Sequence, residues 1–101
     1  MRPLSDAHTR RIAARAQALA DVTRVRIVEL FARAELPVGR IAAALSREPS
    51  TVSKDLQVLF REELVTRRRR ASTVIYALAD PVLIDWCRYL AGSRAKGTTP
   101  P

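Results

Sequence analysis

Ser50, Thr51, Ser53, Lys54, Gln57 and Arg61 share the polar side of one stretch, PSTVSKDLQVLFREEL (49–64). On its other side Val52, Leu56, Leu59 and Phe60 recur at i, i+4, i+7 and i+8, the spacing of one face of an α-helix. Pro49 opens the run and suits a first helical position, where its missing N–H costs nothing. Short hydroxyl, amide and cationic groups near a helix N-terminus reach base edges and phosphates without steric excess. Shortly after comes a second basic group, Arg67, Arg68, Arg69 and Arg70. Four consecutive guanidinium groups are either a solvated surface or a set of phosphate ligands.

Other chemistry is thinly supplied. The single histidine, His8, and the single cysteine, Cys87, fall on different predicted helices, and there is no Gly-rich phosphate loop. That pattern offers no nucleophile with its base, and the expectation is that the chain is not an enzyme and uses no cofactor. One cysteine also excludes an intrachain disulfide and a zinc finger. Cys87 reads as a small buried hydrophobe; the sharper alternative is a thiol switch, formed if two copies bring their Cys87 residues together.

Composition narrows the partner. The chain has 101 residues and a net charge of +8, from 18 basic and 10 acidic side chains. Sixteen of the basic residues are arginine; Lys54 and Lys96 are the lysines. This balance favours a polyanion through Coulomb attraction and counterion release. Apolar residues make up 48%, enough for one small core. No apolar run approaches the ~20 residues of a membrane span. MRPLSDAHTRR lacks the apolar segment of a signal peptide, so a cytoplasmic chain is expected.

The elements that must position these groups follow in order. Ser5 caps a first helix that runs to about Ala20, with a narrow stripe of Ile12, Ala13, Ala16, Leu19 and Ala20 that another helix can approach closely. Asp21 caps a second helix, Thr23–Arg33, apolar nearly all round and therefore expected at the centre. After the connection 34–37, Pro37 begins a two-turn helix, VGRIAAAL. Ser46, Arg47 and Glu48 form a tight turn into the Pro49 helix, which completes a helix-turn-helix. Val65-Thr66 and Thr73–Leu78 read as two strands, with the four arginines and the tip Ala71-Ser72 between them. Asp80 and Pro81 start a last helix whose Val82, Leu83, Ile84, Trp86, Cys87, Tyr89 and Leu90 cover more than one face. Such surplus apolar surface points to a subunit interface. Gly92 stops that helix. The expected organisation is one domain over residues 1–92, mainly α with a small β wing, and a flexible basic tail over 93–101.

The segments ALADVTRVRIVELF (18–31), ELPVGRIAAAL (35–45), STVSKDLQVL (50–59) and VIYALADP (74–81) together resemble the ArsR/SmtB family of bacterial winged-helix repressors. The resemblance implies about five helices with a two-stranded hairpin, and a homodimer built on the first and last helices. It also implies release from an operator when a signal arrives. For this chain the interface residues would be Ile12, Ala16, Leu19, Leu83, Trp86, Cys87 and Leu90. Base and phosphate contacts would fall on Ser50, Thr51, Ser53, Lys54, Gln57, Arg61 and Arg67–Arg70. Metal-sensing relatives often carry thiolates where this chain has Pro37 and Gly39, or Asp and His on the last helix, where it has Asp80 and Asp85 without His. No metal is therefore expected, with His8, Asp85 and Cys87 as the residual donors. Asp55 stands where His is frequent and would repel phosphate unless Lys54 or Arg61 neutralised it. Two other readings stay open. One is an effector-independent autorepressor or architectural DNA-binding protein; the other is a winged-helix domain used for protein contact. The signal that the resemblance implies would be a small molecule or a redox change.

Overall fold

The computed structural model describes residues 2–92, and the expected basic tail, 93–101, lies outside the described residues. The order is α1 (Asp6–Ala18), α2 (Val22–Phe31), β1 (Leu36–Pro37), α3 (Val38–Leu45), α4 (Pro49–Arg61), β2 (Val65–Arg70), β3 (Thr73–Leu78) and α5 (Val82–Leu90). Five helices and an antiparallel hairpin are the expected fold class.

Helix starts follow the caps. Ser5 Oγ accepts the His8 N–H at 3.2 Å, and Asp21 Oδ2 accepts the Arg24 N–H at 3.0 Å. Each satisfies a backbone donor that the first turn leaves without a partner. Asp80 Oδ1 accepts the Val82 N–H at 2.9 Å, but the cap position of α5 is Pro81, so Asp80 turns the chain into the helix from one residue before the cap. Two helices end earlier than their sequence patterns suggest. α1 stops at Ala18, short of the expected Ala20, because Asp21 already serves the next helix. α4 stops at Arg61 and not Leu64. Glu63 turns left-handed (φ 61°), and the Leu64 N–H returns to the Leu59 carbonyl at 3.0 Å. This pattern closes a helix by satisfying its last carbonyls. α3 ends alike, with Ser46 left-handed (φ 53°) and the Arg47 N–H on the Ala42 carbonyl. The turn of the helix-turn-helix thus places a serine where glycine pays no steric penalty.

The sheet departs most from expectation. Leu36–Pro37, expected as a plain connection with Pro37 starting a helix, is a third strand, paired Leu36↔Tyr76 and Pro37↔Ile75. β3 therefore lies in the middle, in the order β1-β3-β2. The arginines do not lie between two strands: they are the strand, since β2 runs from Val65 through Arg70 and pairs with β3 from Val65↔Leu78 to Arg70↔Thr73.

The core lies between α2, α3, α4 and the base of the wing. Ile27, Ile41, Val52, Leu56 and Leu59 are completely buried, joined by Val28, Phe31, Ala42, Val65 and Tyr76. Each of the buried Ile, Val, Leu and Phe side chains stabilises by roughly 1.5–3 kcal/mol relative to exposure. α2 is not buried all round, contrary to expectation: Val22 is 69% exposed, and Val25 is also exposed. Only its Ile27, Val28 and Phe31 face fully inward, because α3 and α4 cover a single side of it.

Candidate nucleic-acid interface

α4 carries its polar groups outward on a fixed stripe. Ser50, Lys54, Gln57 and Arg61 are all exposed, and their spacing of i, i+4, i+7 and i+11 stacks them along one line of the helix. Val52, Leu56 and Leu59 occupy the opposite side and anchor the helix to the core. Thr51 is exposed on one flank of the stripe and Ser53 half-buried on the other. None of the three hydroxyls is spent as a cap: the residue before the helix is Glu48, and no side chain caps that end. Among the described residues neither Lys54 nor Arg61 forms an ion pair, whether with Asp55 or with Glu62.

Asp55 is neutralised from another quarter. Neither Lys54 nor Arg61 meets it; Arg24 of α2 does, with Nη1 3.2 Å from Asp55 Oδ1. The pair is mostly buried, with side chains 19% and 15% exposed. The Arg24 Nε also donates to the Ala18 carbonyl at the end of α1, at 2.5 Å. A second arginine, Arg15 of α1, donates from Nε to the Glu62 carbonyl at 3.1 Å, just past the last turn of α4. Cations there complement the negative end of the helix dipole. Arg15 and Arg24 are partners of α4 and its end that sequence reading missed. The unusual Asp55 was the one signal that α4 needed a cationic partner.

The wing extends the same basic surface. Strand alternation places Arg67 and Arg69 on the side of buried Val65, and Arg68 and Arg70 on the other. The four do not play one role. Arg67 lays its guanidinium over the Phe60 ring, 4.0 Å from the centroid, and so ties the wing to α4. Arg68 donates from Nη2 to Glu35 Oε1 at 2.7 Å. Arg69 and Arg70 are exposed and form no ion pair among the described residues.

The expected interface residues divide. Leu19 and Leu83 are buried in the core of their own chain. Ala16 and Cys87 are half-buried, while Ile12, Trp86 and Leu90 are exposed. A groove of about 710 Å³ runs between α1 and α5, lined by Ile12, Leu19, Leu64, Val82, Leu83 and Trp86, with Arg15, Glu63, Asp80 and Asp85 as its charged lining. Burial pushes the Cys87 thiol up, away from the reactive thiolate. Among the described residues no three His, Cys, Asp or Glu side chains gather as a metal site, so His8, Asp85 and Cys87 do not converge within one chain. No described helix is long and apolar enough to cross a membrane.

This geometry has known counterparts. Residues 21–67, from the cap of α2 to the first wing arginine, match the family described as bacterial regulatory protein, arsR family. The transcriptional repressor SmtB homolog of Synechocystis sp. is 40% identical over 74 residues, 73% of this chain and 56% of its own. The matches span 56% and 65% of the lengths of the first two curated relatives. Among solved structures, the homodimeric winged helix-turn-helix DNA-binding domain of Mb0332 (fragment 1–100) from Mycobacterium bovis superposes with a TM-score of 0.80. It is 28% identical and is described as a possible ArsR-family transcriptional regulator; the likeness covers 100% of this chain and 99% of that one. The crystal structure of a possible transcriptional regulatory protein (fragment 1–100) from the same organism gives a TM-score of 0.78 at 30% identity, covering 87% of this chain and 98% of that one. A helix-turn-helix with an exposed polar stripe, a basic wing beside it and these relatives lead to one conclusion: the chain belongs to the arsR family of bacterial regulatory proteins.

Proposed function

We propose that this chain is a sequence-specific DNA-binding transcriptional repressor that acts as a homodimer and leaves its operator on an unidentified signal. The observation that carries the reading is the unspent polar stripe Ser50, Lys54, Gln57 and Arg61, exposed on a helix whose other side is locked into the core. Set in a major groove, Ser50, Thr51, Ser53 and Gln57 meet base edges while Lys54 and Arg61 hold phosphates. Arg69 and Arg70 reach the backbone beside the site, and Arg67 and Arg68 follow once their present partners give way. DNA as partner puts the working protein in the cytoplasm. A regulatory rather than enzymatic role is supported by the relatives, which are described as transcriptional regulators.

The homodimer is supported by the apolar groove between α1 and α5 and by the exposed Ile12, Trp86 and Leu90 around it. A two-fold pair would present two α4 helices to successive major grooves. Footprinting on the DNA upstream of its own gene tests this. The expected result is two protected patches about one helical turn apart; uniform protection would favour the architectural, sequence-blind alternative.

A further inference from the structure

We infer that the Arg24–Asp55 ion pair sets the rotation of α4 about its own axis, and so decides which of its side chains meet base edges; this rests on the DNA reading above. Arg24 is a rigid post. Its guanidinium is held at two points, Nε on the Ala18 carbonyl of α1 and Nη1 on Asp55 of α4, while its backbone N–H sits in the Asp21 cap that starts α2. α4 advances about 100° per residue. Asp55 therefore flanks the buried Val52–Leu59 stripe on one side, and Phe60, under Arg67, flanks it on the other.

The buried stripe sets which face of α4 turns inward, but apolar contact is non-directional and leaves the fine rotation to directional contacts. An ion pair with hydrogen-bond geometry is directional. The Arg24–Asp55 pair is mostly buried, so salt screens it less than an exposed pair. It also adds no net charge, so it contributes nothing to general phosphate attraction. Its effect falls on which bases are read. Arg24 and Asp55 are positioning residues and touch no base themselves.

The test uses the full chain and a double variant, Arg24→Met/Asp55→Leu. Replacing both members of a buried pair by apolar side chains of similar volume is often neutral or stabilising, so the fold survives its loss. Duplexes are selected by the parent protein from a random pool. Affinities for a selected duplex and a scrambled one are then measured at several salt concentrations, with thermal unfolding followed in parallel. The double variant is expected to melt near the parent temperature and to keep the parent's salt slope on scrambled DNA. Its preference for the selected duplex is expected to fall about tenfold, the cost of one mismatched base pair. Should the double variant fail to fold, Arg24→Lys carries the test. It keeps the charge but not the two-armed grip on Ala18 and Asp55, and its preference should fall part of the way. A folded variant that discriminates as well as the parent overturns the inference alone. A parent that discriminates among no duplexes overturns the DNA reading, and this inference with it.

Discussion

Arg68 and Glu35 are joined across the wing: both Nε and Nη2 of the arginine donate to the same carboxylate oxygen, at 3.2 and 2.7 Å. Both side chains are about half exposed, so the pair adds little to folding, on the order of 0.2–1 kcal/mol. Its consequence is for binding. A phosphate that takes Arg68 must first displace Glu35, and then leaves a carboxylate beside a polyanion.

Glu35→Gln should therefore tighten DNA binding. At low salt the expected gain is several-fold, with a steeper salt dependence by up to about one unit, because one more cation becomes free to release counterions. Anisotropy titrations across a salt series measure both. An unchanged affinity and slope would remove Arg68 from the set of phosphate ligands.

Lys54→Ala and the double change Arg69→Ala/Arg70→Ala should act in the opposite sense. Each lost phosphate contact lowers the salt slope by about one unit. All three side chains are exposed, so thermal stability should stay within about 0.5 kcal/mol of the parent. A variant that keeps its slope would show that its cations face away from DNA.

Ser46→Gly should stabilise the chain. Ser46 holds φ 53°, where an L-residue costs about 1–2 kcal/mol, against roughly 0.5–1 kcal/mol for the added freedom of glycine in the unfolded chain. The net gain is up to about 1 kcal/mol, read from urea unfolding. Lower stability would mean that the serine hydroxyl supports the turn.

Cys87 should alkylate slowly at neutral pH. Burial disfavours the thiolate, so the reactive fraction is smaller than in the unfolded chain and rises only at higher pH. Iodoacetamide labelling at pH 7 should be slow in buffer and faster in urea. Rapid labelling of the folded chain would revive a redox role for this thiol.

Much of this was legible in the sequence, and the parts that were not share a cause. Ser5 and Asp21 announced their helices because caps act over three or four residues, and Pro49 because its fixed backbone suits a first helical position. The polar stripe of α4 followed from a 3.6-residue period. By contrast, four identical arginines carry no alternation, and their strand exists only because β3 supplies the partner. Leu36–Pro37 is too short to signal a strand and is held by Tyr76 and Ile75, far along the chain. Arg24 and Asp55 lie 31 residues apart, and Arg68 and Glu35 lie 33 apart. Local reading identified Asp55 as needing a cation and looked for it on the same helix; the fold brought it from α2.

The most direct test of the central claim is a fluorescence-anisotropy titration with the DNA upstream of the chain's own gene, against a scrambled duplex of equal length in the same salt. A sequence-specific repressor should prefer the first by roughly a thousandfold or more. Equal affinity for both, falling steeply with salt, would contradict that claim and leave a basic protein that coats DNA without reading it.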